Sequence, residues 1–254
     1  MRASAAGAAM FEYRRARHRL VARLLAVLDA GFIATNHCYF GGGTRIALEL
    51  DEFRESQDID FLCADIAGYR ALRAGISERS LGPILGTARK LPAGITLLRD
   101  VRADQYGIRT LIGVDGEPVK FEIILEARIG LTSAQPDNLP VQSLDRVSCF
   151  AEKWLANADR WNDASVASRD VIDLAFMLGA WGSSDAQAGA ERAASAYGAA
   201  IKQSALSACA KIIEGLAYRK QCAGALLIED AAALLARLRK LQKIAQHLPA
   251  WHGD

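Results

Sequence analysis

The stretch from Phe40 to Leu62, FGGGTRIALELDEFRESQDIDFL, constrains the fold of this chain more than any other. An apolar run ending at Phe40 reads as a strand, the first, spanning Phe32 to Phe40, and it stops at the glycine-rich turn Gly41-Gly42-Gly43-Thr44. A helical apolar segment follows, then a polar turn, then Asp58-Ile59-Asp60-Phe61-Leu62. Side chains alternate faces along a strand, so Asp58 and Asp60 are expected on one side, with Ile59 and Phe61 on the other. Two like charges on one face repel unless a cation lies between them. Mg²⁺, or Mn²⁺ in its place, meets that need, because it takes oxygen ligands and is completed by water and substrate phosphates. Glycines let backbone N–H groups approach a phosphate, and the helix they open adds the positive end of its dipole. A phosphate cradle of Gly42, Gly43 and Thr44 beside a metal-binding Asp58/Asp60 pair is what transfer of a nucleotide to an acceptor requires.

The pattern resembles the nucleotidyltransferase superfamily, in which a Gly-Gly or Gly-Ser turn precedes an Asp-x-Asp strand. More narrowly, GGTRIAL followed by RESQDIDF is similar to the AbiEii/AbiGii-type nucleotidyltransferase toxins, whose motif runs GGT-aliphatic and then R-x-S-x-D-[IL]-D-[FL]. Arg54, Ser56 and both aspartates fall in register with it, which implies a nucleotide-binding role for Ser56. Arg45, just past the turn, faces either a triphosphate or solvent. Against these readings stands a plain turn and strand with two solvated aspartates.

Downstream, Ala64 to Arg79 reads as a helix broken by Gly82-Pro83. From Ile95 to Ile129 the pattern is β-rich, with a hairpin turn at Val114-Asp115-Gly116-Glu117-Pro118. On the strand VKFEIILEARI, Val119, Phe121, Ile123 and Leu125 share one face; Lys120, Glu122, Ile124 and Glu126 share the other. A third acid beside the Asp pair suits metal-assisted transfer, and Glu122 is the choice, with Glu126 as fallback. The competing reading is a solvated sheet edge.

Gln135 to Leu144, with two prolines, reads as a linker. Beyond it the composition shifts to Ala, Leu, Lys and Arg with helical periodicity. Helices are expected over Val147–Asp159, Ser168–Trp181, about Ala190–Gly215 and Leu227–His247, with a loop at Gly182-Ser183-Ser184. The fold class is therefore α+β. A small nucleotidyltransferase domain with a mixed sheet flanked by helices (1–140) precedes an all-α domain (141–254), with the active cleft between them.

Within the helical part the resemblance continues: EKWLANADRW and SRDVIDLAF match a lysine helix followed by an R-D-x-x-D-L helix. It implies that Lys153 neutralises the triphosphate, with Arg160 on the same helical face. Asp170 or Asp173 would order Lys153, contact the nucleotide or activate the acceptor hydroxyl. Interhelical salt bridges are the structural alternative. The resemblance spans about Gly41 to Leu174; the last eighty or so residues carry no such signal.

Bulk properties narrow the class further. A net charge of +2 excludes a strongly basic nucleic-acid binder, so any RNA contact must be local. The helix expected over Phe11–Ala30 begins with such a cluster, Arg14, Arg15, Arg17 and Arg19, which either contacts tRNA or is a solvated face. Five scattered cysteines without a C-x-x-C pair indicate free thiols in a reducing compartment, and four unclustered histidines give no zinc site. With neither a signal-peptide pattern nor a membrane-length run, a cytoplasmic location is expected. The resemblance implies a nucleoside triphosphate donor, a tRNA 3′ end as acceptor in several relatives, a cognate antitoxin and a role in phage defence. A protein or small-molecule acceptor, or a non-catalytic nucleotide-binding module, are the alternatives.

Overall fold

The computed structural model describes residues 13–85, 91–136 and 138–251. Helix α1 (Ala16–Val27) and the short α2 (Ala30–Thr35) precede strand β1 (Cys38–Gly41), helix α3 (Gly42–Glu49) and strand β2 (Ile59–Cys63). Then come α4 (Ile66–Ala74), β3 (Ile95–Leu97), β4 (Arg102–Ala103), β5 (Gly107–Val114), β6 (Glu117–Leu125), β7 (Ser133–Ala134) and β8 (Ser143–Leu144). The rest is helical: α5 (Arg146–Arg160), α6 (Arg169–Trp181), α7 (Ser183–Tyr197), α8 (Ala200–Glu214), α9 (Leu216–Ala225) and α10 (Ala231–His247). None of the described helices is long and apolar enough to cross a membrane.

The strands form one mixed sheet in the order β3-β5-β6-β2-β1-β8-β7, with β4 paired to β5. β2 runs antiparallel to β1 and parallel to β6, in a register that sets Asp60 opposite Glu122. Alternation along β1 and β2 gives the sheet two lives. Phe40, Ile59 and Phe61 face one core with α1, α2 and α4, where Phe61 packs at 5.6 Å from Phe40 and 6.0 Å from Phe121. Tyr39 and Leu62 face a second core made with α5, α6 and the later helices. Asp60 shares the face of Leu62, so its carboxylate points toward the helical half.

Several boundaries differ from expectation, each for a local reason. Of the expected Phe32–Phe40 strand, residues 32–35 belong to helix α2, whose start the Asp29 side chain caps by accepting the Phe32 N–H at 2.8 Å, and only 38–40 are strand. His37, in the left-handed region at φ 52°, ends the turn just before β1. The Ala64–Arg79 helix is confined to α4, since Asp65 caps its start and Gly75 sits at its end. In the Gln135–Leu144 linker lies β8, parallel to β1; Phe40 N–H donates to Gln142 O at 2.9 Å, and Asp137 falls outside the described residues. The Gly182–Ser184 loop shrinks to Gly182, at φ 95°, and the Ala190–Gly215 segment is two helices parted at Gly198. Of the Phe11–Ala30 helix, Phe11 and Glu12 lie outside the described residues.

Helices α5 and α7 pack so closely that a Cβ on Gly189 would lie 2.4 Å from Phe150 Cβ and 3.0 Å from the α5 backbone. Gly189→Val should therefore force the helices apart and lower unfolding free energy by about 1–3 kcal/mol, read from urea denaturation.

Candidate active site

Between the Leu62 face of the sheet and helices α5 and α6 lies a cavity of about 420 Å³. Its lining includes Gly42, Gly43, Arg54, Ser56, Asp58, Asp60, Glu122, Lys153 and Arg160, which are among the residues expected from sequence. Arg169, which opens the R-D-x-x-D-L match, lines it too; Lys120, Arg128, Glu152 and Asp159 also do and were not anticipated, although Lys120 lies two residues from Glu122 on one strand face. Likewise Glu152, Ala156 and Asp159 stand at i, i+4 and i+7 on α5, beside Lys153 and Arg160, a signal that was present.

The glycines are required by close approach. Gly42, at φ 68°, lies against the Asp60 carboxylate, and Gly43 lies against the Arg54 guanidinium; a Cβ at either would collide. Thr44 is buried and donates its hydroxyl to Ser56 Oγ at 2.8 Å, so it braces the turn from behind. Arg45 emerges on the far side of α3, 2% exposed, where it pairs with Glu49 and lies 5.2 Å over the Trp181 ring. It does not line the cavity.

A buried ion network forms the cavity's cationic wall. Arg54 grips Asp173 through two parallel bonds, Nε to Oδ1 at 2.6 Å and Nη2 to Oδ2 at 2.9 Å. Lys153 Nζ sits 2.7 Å from Asp173 and 3.0 Å from Asp170, and Arg160 holds Asp170 at 2.7 and 3.0 Å. Three cations thus share two carboxylates, leaving a positive surplus on the cavity side. Burial alone would raise the Asp170 and Asp173 carboxyls, yet Lys153 with Arg160, and Arg54 with Lys153, outweigh it and hold both well down. Neither aspartate lines the cavity: both sit behind the cations and aim them.

The acid wall is opposite in character. Burial, then Asp58 and Glu122, push the Asp60 carboxyl up to about 6. Glu122 is engaged by Lys120 at 2.6 Å and Arg109 at 3.3 Å, both about half exposed. Among the described residues no three His, Cys, Asp or Glu side chains converge as a metal cage. Asp58 and Asp60 nonetheless fit a hard divalent ion in part: two carboxylates, one carrying unmet negative charge, in a cavity with room for phosphate oxygens. Glu126 is set apart, bound to Arg128 by bonds of 2.6 to 3.2 Å. Glu152 is shifted upward by burial and by Glu126.

Arg14, Arg15, Arg17 and Arg19 are not a free basic face. They bond to Asp51 O, Glu52 O, Leu227 O, Pro118 O and Tyr13 O, with further ion pairs to Glu52, Glu117 and Glu229.

The family model described as "Nucleotidyl transferase AbiEii toxin, Type IV TA system" matches residues 23–248. The chain belongs to the AbiEii nucleotidyltransferase toxin family. This AbiEii-family enzyme is similar in fold to a crystal structure from Helicobacter pylori titled as a candidate nucleotidyltransferase, at 14% identity and a TM-score of 0.52, covering 93% of this chain and 97% of that one. A second H. pylori structure, JHP933, aligns at 14% identity and a TM-score of 0.46 over 91% and 94% of the chains. Among curated proteins no match was found.

The Asp60 carboxyl lies above its ordinary 3.8 in the fold, so its ionisation destabilises the ion-free protein as pH rises through about 6, and it has no such effect below both values. Asp60→Asn should accordingly be more stable than wild type at pH 8 in chelator, on the order of 2 kcal/mol, and equal to it near pH 3.5. Asp173→Asn should lose about 3–5 kcal/mol by leaving buried cations underpaired. Thermal melts across pH check both.

Proposed function

We propose that this nucleotidyltransferase moves a nucleoside monophosphate from a nucleoside triphosphate to an acceptor hydroxyl, with Mg²⁺ or Mn²⁺ held by Asp58 and Asp60. The observation that carries the reading is the opposition of two walls in one cavity: an acid pair set against Gly42, and a cation trio with positive surplus. The bound ion would supply charge neutralisation at the phosphates and a more acidic acceptor hydroxyl.

The chain's own residues do the rest. Gly42 and Gly43 let the Asp60 carboxylate and the Arg54 guanidinium close on the start of α3, where its N-terminus would meet phosphate oxygens, and Ser56 offers a hydroxyl beside them. Lys153, Arg54 and Arg160 balance charge as the acceptor oxygen bonds to the α-phosphorus and the bond to the bridging oxygen breaks, releasing pyrophosphate. Glu122, next to Asp60 on β6, takes the hydroxyl proton; its ion pairs to half-exposed Lys120 and Arg109 are weak enough to yield. Arg169 lines the cavity and has no carboxylate within ion-pair reach among the described residues, which makes it a further phosphate contact. Asp170 and Asp173 act by holding the cations in place. Most of the rate comes from positioning and electrostatics.

For the acceptor, a tRNA 3′ end is the leading reading, by family resemblance. A protein hydroxyl or small molecule is favoured by one observation: the N-terminal arginines are occupied within the chain. Both readings suit a soluble protein of the cytoplasm with an antitoxin partner.

Incubation with Mg²⁺, each labelled triphosphate and total tRNA should transfer label in an ion-dependent way. Asp60→Ala should lower that rate about a thousandfold, the scale of several kcal/mol of charge stabilisation. Unchanged transfer by the variant would remove the proposal. Label appearing only in added protein or small molecules would reassign the acceptor. Calorimetry showing triphosphate binding indifferent to Mg²⁺ would point to a binding module.

A further inference from the structure

The transfer mechanism leaves the N-terminal helix without a role, yet α1 is bonded to the loop that lines the cavity. His18, on its first turn, is completely buried. Its Nδ1 lies 2.7 Å from Glu52 Oε1, and its Nε2 accepts the Ser56 backbone N–H at 3.1 Å. Because Nε2 is an acceptor, the ring proton belongs on Nδ1, facing the carboxylate. Glu52 is itself fixed: its two oxygens accept the backbone N–H groups of Arg14 and Arg15 at 2.6 and 2.9 Å, where α1 begins. No side chain of the N-cap residue does that work for α1. An acid in the loop after α3 therefore caps the helix, and the helix returns a histidine to the same loop.

That loop carries three cavity residues, Arg54, Ser56 and Asp58. Arg54 is anchored from the helical side by Asp173. Ser56 is anchored from the sheet side by His18 and, through its hydroxyl, by Thr44. Asp58 follows two residues later, immediately before β2.

We infer that His18 is a positioning residue of the active centre: through the Glu52–His18–Ser56 relay it fixes the segment that presents Ser56 and Asp58 to the nucleotide. His18 precedes the residues matched by the family model, which begin at 23, while Glu52 and Ser56 lie within them. The inference rests on the transfer reading for its kinetic consequence, though not for the relay itself.

The relay requires a neutral imidazole. The groups facing it are Glu52 and Glu55 from the loop, Arg15 from its own helix, and Tyr13, whose ring meets it edge-on at 6.4 Å. Burial lowers the His18 value below 6.5 against the pull of Glu52, so the ring is uncharged at neutral pH. On acidification the ring gains a proton at Nε2 and loses the Ser56 bond, so the relay's contribution is present at high pH and lost as pH falls through that lowered value.

Two variants separate positioning from folding. His18→Gln keeps an acceptor near the depth of Nε2; His18→Asn has none that reaches Ser56. The expected result is a kcat for His18→Asn about 10- to 100-fold down, with KM for the triphosphate little changed. Faster amide hydrogen exchange in residues 54–58 should accompany it, and His18→Gln should recover most of both. Equal losses in the two variants that track their melting temperatures, or exchange in 54–58 unchanged by His18→Asn, would overturn the inference. If wild type transfers nothing, the functional reading fails, and the exchange measurement still decides the relay.

Discussion

The pair of carboxylates on α6 is the constraint on which the rest depends. Asp170 and Asp173 are almost fully buried, and each is tolerable only because cations from other elements meet it: Arg54 from the loop after α3, Lys153 and Arg160 from α5. Ions taken out of water are costly unless each is paired and hydrogen-bonded, so the network fixes three elements in one arrangement. What it orients is the cationic side of the cavity. Structure and proposed chemistry share the same atoms here, since a guanidinium held against Asp173 is also one that cannot turn away from a phosphate.

The opposite wall is organised by frustration. Asp58, Asp60 and Glu122 crowd like charge onto one face of β2 and β6, and Gly42 gives up its side chain so that Asp60 can occupy that position. Such an arrangement weakens the ion-free protein, and on the proposed mechanism a divalent ion would relieve it. The fold thus sets an acid cluster that costs stability against a cation network that supplies it.

Much of this was legible from residues alone, for physical reasons that can be named. The period of two along Asp58-Ile59-Asp60-Phe61 placed the acids on one face, and the structure puts Asp60 with Leu62 while Ile59 and Phe61 enter the opposite core. Helical spacing brought Lys153 and Arg160 together. What escaped depends on partners distant in sequence. Arg45 looked like a neighbour of the glycine turn, but the helix rotates it onto Trp181, which no local pattern reveals. Arg14, Arg15 and Arg17 looked free because their acceptors at Asp51, Glu52, Pro118 and Leu227 are invisible in a local window. Strand β8 was lost because two residues carry no periodicity, and only pairing with β1 makes them a strand.

Pairing of β1 with β8, and of Arg54 with Asp173, joins positions separated by more than a hundred residues. Loops of that length close late, after local hairpins and helices. During synthesis the glycine turn, Asp58 and Asp60 would leave the ribosome well before the helix that aims the cations. On the proposed mechanism the cavity is therefore incomplete until α6 docks, because the carboxylates that aim Arg54, Lys153 and Arg160 lie on that later helix.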